Sequence, residues 1–254
     1  MPNGARRRME TADARSVELL RQDYLPLAQT HGVPAVRDGA GGPWVKALSN
    51  FFLIKANQHL EAICALLNAG LGEDAQIIAR TLFEHSLHLA YVAAPDDEAE
   101  RERRAEHFAY DGDRQRGEKA RELERLRVEG RVGPMMAEIM AEAVRIEPVR
   151  SAPPDFLGVP NLKQIAISLG DPYEDQYHVI YWGLSKIAHP SALGAHGYLD
   201  EEPEGDALHE ALAWAFPTHF DILRKALELA EDRKVLEAAV AVANRFVGFH
   251  SSKT

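Results

Sequence analysis

Hydrophobic and polar positions follow a helical period along most of the chain, and one stretch sets the pattern for the rest. From Ala75 to Ala94 the sequence AQIIARTLFEHSLHLAYVAA is nearly continuously apolar, with Arg80 and Glu84 as its only full charges. Residues four apart on a helix lie one above the other, so Arg80 and Glu84 share a face that His88 and Tyr91 continue. Ile77, Ile78, Leu82, Phe83, Leu87, Leu89 and Val92 surround them, which predicts a helix central to its domain. Ionised side chains in a packed interior are costly unless paired, so the two charges are expected to satisfy each other or polar groups on neighbouring helices.

Upstream, Leu53, Ala56, Leu60, Ile63 and Leu67 recur at three-and-four spacing within Trp44 to Ala69. Gly70 and Gly72 then allow a tight reversal, predicting an antiparallel helical hairpin with His59 on the helix beside Arg80 and Glu84. Residues 1–43 read as an N-terminal arm. Its first nine residues lack structure, a helix runs from Thr11 towards Thr30, and the DGAGGP run at Asp38–Pro43 is a loop.

Downstream, Glu98 to Glu129 is dense in mixed charge. It reads as one or two solvated helices interrupted near Asp111–Asp113, with Arg101, Arg103 and Arg104 balanced on the surface by Glu98, Glu100, Glu102 and Glu106. A short helix is expected over Met135–Ile146, and Asn161 caps another over LKQIAISLG. Asp171-Pro172-Tyr173-Glu174 has the form of a capping box, opening a helix that ends by His189 before Pro190. Further helices follow Asp206, with a kink at Pro217, and span Asp232–Val247. No strand period or repeat appears. The expectation is an all-α helical bundle built around the hairpin, with residues 44–250 as a single domain.

Composition narrows the picture. With 46% hydrophobic and 27% charged residues in 254, the chain falls in the ordinary globular class. The central segment has the length of a bilayer span, but an Arg, a Glu and two His at its centre argue against a membrane. Arg6, Arg7 and Arg8 are followed by no apolar core of a secretory signal. A net charge of -10 opposes nucleic acid and other polyanions unless basic groups cluster locally. The single cysteine, Cys64, excludes an intramolecular disulfide and a cysteine-based zinc site, and its apolar neighbours mark it as a core residue. These features fit a soluble cytoplasmic protein.

A second polar set lies on the helix after Asp171. Tyr181, Ser185 and His189 are spaced by four and line one face beside Tyr173, Tyr177, Ile180, Leu184 and Ile187. At the helix C-terminus His189 is favoured in its protonated form by about 0.3–1 kcal/mol. The bland reading has Ser185 bonding back to the Tyr181 carbonyl.

The run LEAICALLNAGLGEDAQIIARTLFEH, followed far downstream by YWGLSKIAHPSA, resembles an uncharacterised bacterial family of all-helical proteins described as a domain of unknown function. That family pairs an Arg-x-x-x-Glu motif, here Arg80 and Glu84, with a Tyr-x-x-x-Ser-x-x-x-His pattern, here Tyr181, Ser185 and His189. The resemblance implies no activity, but it implies that the two sets belong together. Two readings follow: a polar pocket with Glu84 or His189 as proton carrier and Arg80 as anion anchor, or a structural network without a ligand.

Arg80 and His85 also make an Arg-x4-His element similar to that of HEPN ribonucleases, which implies metal-independent RNA cleavage near a dimer interface. Against this stand the acidic charge and the roughly 100° that separates His85 from Glu84 around the helix. A carboxylate-bridged metal hydrolase needs several Glu-x-x-His pairs, whereas Glu84 and His88 offer one weak pair. No glycine-rich phosphate loop or paired metal motif is present, so neither cofactor nor metal is expected. The default is a helical binding or interaction module capable of forming a homo-oligomer, its partner unknown.

Overall fold

The computed structural model describes residues 17–18, 20–26, 29, 41–131, 133, 152–181, 184–185 and 241. The helices expected over Met135–Ile146, after Asp206 and over Asp232–Val247 lie outside the described residues, as does His189. Regular structure among the described residues is helical throughout, and the fold is all-α. These residues fall into two compact units, one drawn from 1–102 and 160–254 and the other from 103–159.

The first unit is organised on two long helices, α1 (Pro43–Asn68) and α2 (Gly72–Ala93), which pack on each other. Pro43 suits the first turn of α1 because its missing N–H has no intrahelical acceptor there. At the other end Gly70 adopts φ 75°, donating to the Leu67 carbonyl at 3.1 Å while Leu71 donates to Leu66 at 2.9 Å. That pair of bonds closes the helix with a glycine in the left-handed region, leaving three residues before α2. Phe52, Leu60 and Ile63 from α1, and Leu82, Phe83 and Leu87 from α2, are fully buried. Each contributes roughly 1.5–3 kcal/mol of apolar burial. Val17, Leu20 and Tyr24 from the N-terminal helical residues are buried too, and Arg21 bridges Glu18 at 2.6 Å and Glu61 of α1 at 3.1 Å.

The first turn of α1 has no cap of its own. Glu102 supplies one: its carboxylate accepts from Trp44 N at 2.7 Å and Val45 N at 3.0 Å. Gly42 makes room for it, since a Cβ there would overlap that carboxylate. Neighbouring Arg101, 3% exposed, donates to the carbonyls of Pro95 at 3.1 Å and Asp96 at 2.9 Å. The expectation that Arg101 and Glu102 are surface charges is therefore corrected. Both bond backbone groups next to helix ends, which hold an ionic side chain against the protein where water would otherwise hold it outside.

α2 also packs on α4 (Leu162–Leu169) and on a π-helical turn at Tyr177–Tyr181. Its outer side is open, with Ile77 39% exposed, so the helix is not apolar-enclosed all round. Asn161 caps α4 as expected, in a reciprocal box in which it exchanges 3.0 Å bonds with Gln164. The capping box expected at Asp171 does not form. The short helix α5 (Tyr173–Gln176) takes Pro172 as N-cap without a side-chain bond, because Gly170 O already accepts from Tyr173 N at 2.8 Å and Glu174 N at 3.2 Å. Nor is the segment a continuous α-helix: α5 passes directly into the π-turn.

The remaining helix, α3 (Glu98–Val128), begins in the first unit and runs into the second. It is unbroken at Asp111–Asp113, correcting the expected interruption. Arg114 binds Asp111 at 2.8 Å and Glu118 at 2.6 Å, and Arg116 pairs with Asp113, so spacings of three and four tie the helix across Gly112. Within the second unit Asp155 binds Arg103 at 3.0 Å and His107 at 3.3 Å. Phe156 meets the rings of His107 and Tyr110 edge-on at 5.3 and 4.7 Å. No helix among the described residues is long and apolar enough to cross a membrane.

Candidate functional site

Arg80 projects from α2 towards the π-turn. Its Nε donates to Glu84 Oε1 at 2.9 Å, one helical turn on, and its Nη2 donates to the Tyr181 hydroxyl at 2.8 Å. The guanidinium carbon also lies 4.7 Å from the Tyr181 ring centroid, within cation–π range. The Arg80 and Glu84 side chains are 16% and 26% exposed, so the pair is shielded but not sealed. Tyr177 stacks on Tyr181 with centroids 4.9 Å apart and planes at 14°. Burial raises the Tyr177 phenol above its ordinary range, and Tyr181 adds to this; Arg80 opposes and Glu84 reinforces it.

These distances bring three of the five residues of the expected polar set, Arg80, Glu84 and Tyr181, into direct contact. Ser185 lies four residues beyond Tyr181. Its hydroxyl oxygen is screened from solvent and has no hydrogen-bond partner, so the expected bond back to the Tyr181 carbonyl is absent. His189, the fifth member, is outside the described residues. Within this contact one guanidinium meets one carboxylate.

One polar residue on the same stripe escaped the sequence reading. Gln76 sits one turn before Arg80 on α2, and its side-chain oxygen is likewise screened from solvent without a partner. The signal was its spacing: Gln76, Arg80 and Glu84 repeat by four.

His85 faces other company. Its ring stacks on His59 of α1 at 5.2 Å and 19°, and lies 5.3 Å from Phe52 and 6.0 Å from Phe51. His59 thus stands beside His85, while Arg80 donates to Glu84 and Tyr181. Burial lowers the His59 imidazole, with Lys55 adding to the effect. His88, one turn after Glu84, is lowered further by burial, to about 4, against a partial opposing bond to the Glu84 backbone; it is neutral at pH 7. The buried Cys64 thiol is raised to about 12, chiefly by burial, and is inert as a nucleophile. Among the described residues no three His, Cys, Asp or Glu side chains are grouped to hold a metal ion.

Residues 46–207 match the model of a family of unknown function (DUF5677), a span that holds nearly all of α1, all of α2 to α5, and both polar sets. No curated protein and no solved structure matches the chain.

Proposed function

We propose that this chain, which belongs to that family of unknown function, is a helical binding module that receives a small ligand along the seam between α2 and the Tyr177–Tyr181 turn. One contrast between the two polar sets carries the reading. Arg80 and Glu84 satisfy each other at 2.9 Å, while the Ser185 hydroxyl, screened from water, has nothing to bond. A buried polar group left unpaired costs about 1–3 kcal/mol, which a ligand that pairs it recovers.

In this reading Arg80 and Glu84 are positioning residues. They hold Tyr181, and through it Tyr177, at fixed distance from α2, so the seam keeps its shape when empty. Neither a proton carrier nor an anion anchor is required of them. A cytoplasmic setting fits the single, buried thiol.

A library of small polar fragments added to isotopically labelled protein tests the proposal by NMR. At least one fragment is expected to shift the Tyr177, Tyr181 and Ser185 resonances saturably, and Ser185→Ala is expected to weaken it. A library that leaves the seam resonances unmoved would remove the reading.

A further inference from the structure

Helix α1 packs on α2 with one side and leaves the other open. On that open side Ala47, Phe51, Ile54, Gln58, Glu61 and Ala65 are all exposed, at alternating steps of four and three. This is the spacing by which two helices pack along a seam, and any outward helix face shares it. Composition sets this one apart. Its first half carries two large apolar side chains, Phe51 at 44% and Ile54 at 46% exposure, with the small Ala47 one turn before them. From Pro43 to Leu60 the helix has no acidic residue, only Lys46 and Lys55, in a chain whose net charge is -10. We infer that this half of the stripe is the interface of an antiparallel homodimer, in which Phe51 of each copy packs on Ile54 of the other.

A two-fold contact has to be self-complementary, and the stripe meets that demand in one register. With the axis crossing α1 beside Phe52 and Leu53, Phe51 falls opposite Ile54, and the same register sets the small Ala47 against the long Gln58. It also sets Asn50 against Lys55, so an uncharged amide oxygen faces an ammonium group. Lys55 already lies along the stripe, donating to Gln58 at 3.3 Å. A parallel pair would set Lys46 on Lys46 and Lys55 on Lys55, like charge on like. The first acid of α1, Glu61, lies beyond the overlap, where Arg21 holds it at 3.1 Å. Two copies of an acidic chain therefore meet here without bringing carboxylates together. The overlap spans about three turns and buries less than the roughly 800 Å² per partner of a standard interface, so the dimer dissociates on dilution.

Sedimentation velocity on the full-length protein, run from dilute to concentrated, tests the interface. The unaltered chain is expected to shift from monomer towards dimer as concentration rises. Ile54→Glu changes a side chain that already meets water, which spares folding, and is expected to weaken the dimer by about tenfold or more. Ile167→Glu, at an apolar position 49% exposed on α4, is expected to leave it unchanged. Cysteines then test the register, the native Cys64 being buried. Under mild oxidation a mixture of Ala47→Cys and Gln58→Cys chains is expected to give disulfide-linked dimers that neither variant gives alone. A chain that stays monomeric at every concentration, a dimer that Ile54→Glu leaves intact, or an equal loss in Ile167→Glu would overturn the interface. No cross-link in the mixture, or cross-linking of either variant with itself, would overturn the antiparallel register.

Discussion

Two helices of this protein use the same ionic chemistry to opposite effect. On α2 the Arg80–Glu84 pair, four residues apart, has side chains 16% and 26% exposed, and Arg80 also donates to the Tyr181 hydroxyl. On α3 Arg125 holds Glu122 at 2.7 Å and Glu129 at 2.5 Å, yet the side chains of Arg125 and Glu122 are 52% and 46% exposed. The spacing is equivalent and the distances are similar. What differs is water: on α3 it screens each charge and would replace a lost partner, while on α2 a lost partner leaves a shielded charge uncompensated. Geometry alone does not rank an ion pair.

The comparison can be sharpened with acid first. His88 shares the polar side of α2, and its imidazole is held at about 4 against an ordinary 6.5, so the unfolded chain binds a proton that the folded chain refuses. Stability from this group is therefore complete above about pH 6.5 and lost as the pH falls towards 4. Urea unfolding at pH 7 and pH 4 should show roughly 3 kcal/mol more acid loss in the unaltered protein than in His88→Leu. Equal losses would mean the imidazole titrates freely.

The next largest effect separates the two ion pairs directly. Arg80→Ala is expected to cost about 2 kcal/mol, less than a fully buried pair because Glu84 retains some access to water. Arg125→Ala should leave the urea midpoint unchanged, and 1 M salt, where the Debye length is roughly tenfold shorter than in 0.01 M buffer, should affect α3 more than α2. A matching loss in both variants would erase the distinction drawn here. Smallest is Tyr181→Phe, which removes the hydroxyl that accepts from Arg80 but keeps the ring beneath the guanidinium. It should cost about 1 kcal/mol in the same assay.

Much of the α2 half was legible because it is local. An Arg and a Glu four apart in an apolar run predict each other, and Tyr181 and Ser185 share a spacing of four that any helix would align. What was not legible depended on contacts distant in sequence or on competition for a backbone group. Asp171 has the residue type and position of a cap, but the Gly170 carbonyl had already taken the two N–H groups nearest it. The Asp-Gly-Asp run on α3 looks like a break, yet the helix continues through it, with Arg114 pairing back to Asp111 and Arg116 to Asp113. Gln76 carries no charge, so nothing in its composition demanded a partner. A π-turn and an α-helix share almost the same hydrophobic pattern, which left Tyr177–Tyr181 indistinguishable from its neighbours.

Glu102 ends the first of the two stretches that make up the first compact unit, and the second unit, residues 103–159, is threaded into the chain directly after it. Anyone shortening this protein to its first unit would be tempted to cut inside α3's opening turn, where the sequence seems to offer only interchangeable charges. Such a cut would uncap α1, whose Trp44 N–H donates to Glu102 from 58 residues earlier in the chain. The boundary has to fall after Glu102, and the residue to carry across any graft is the carboxylate that closes α1.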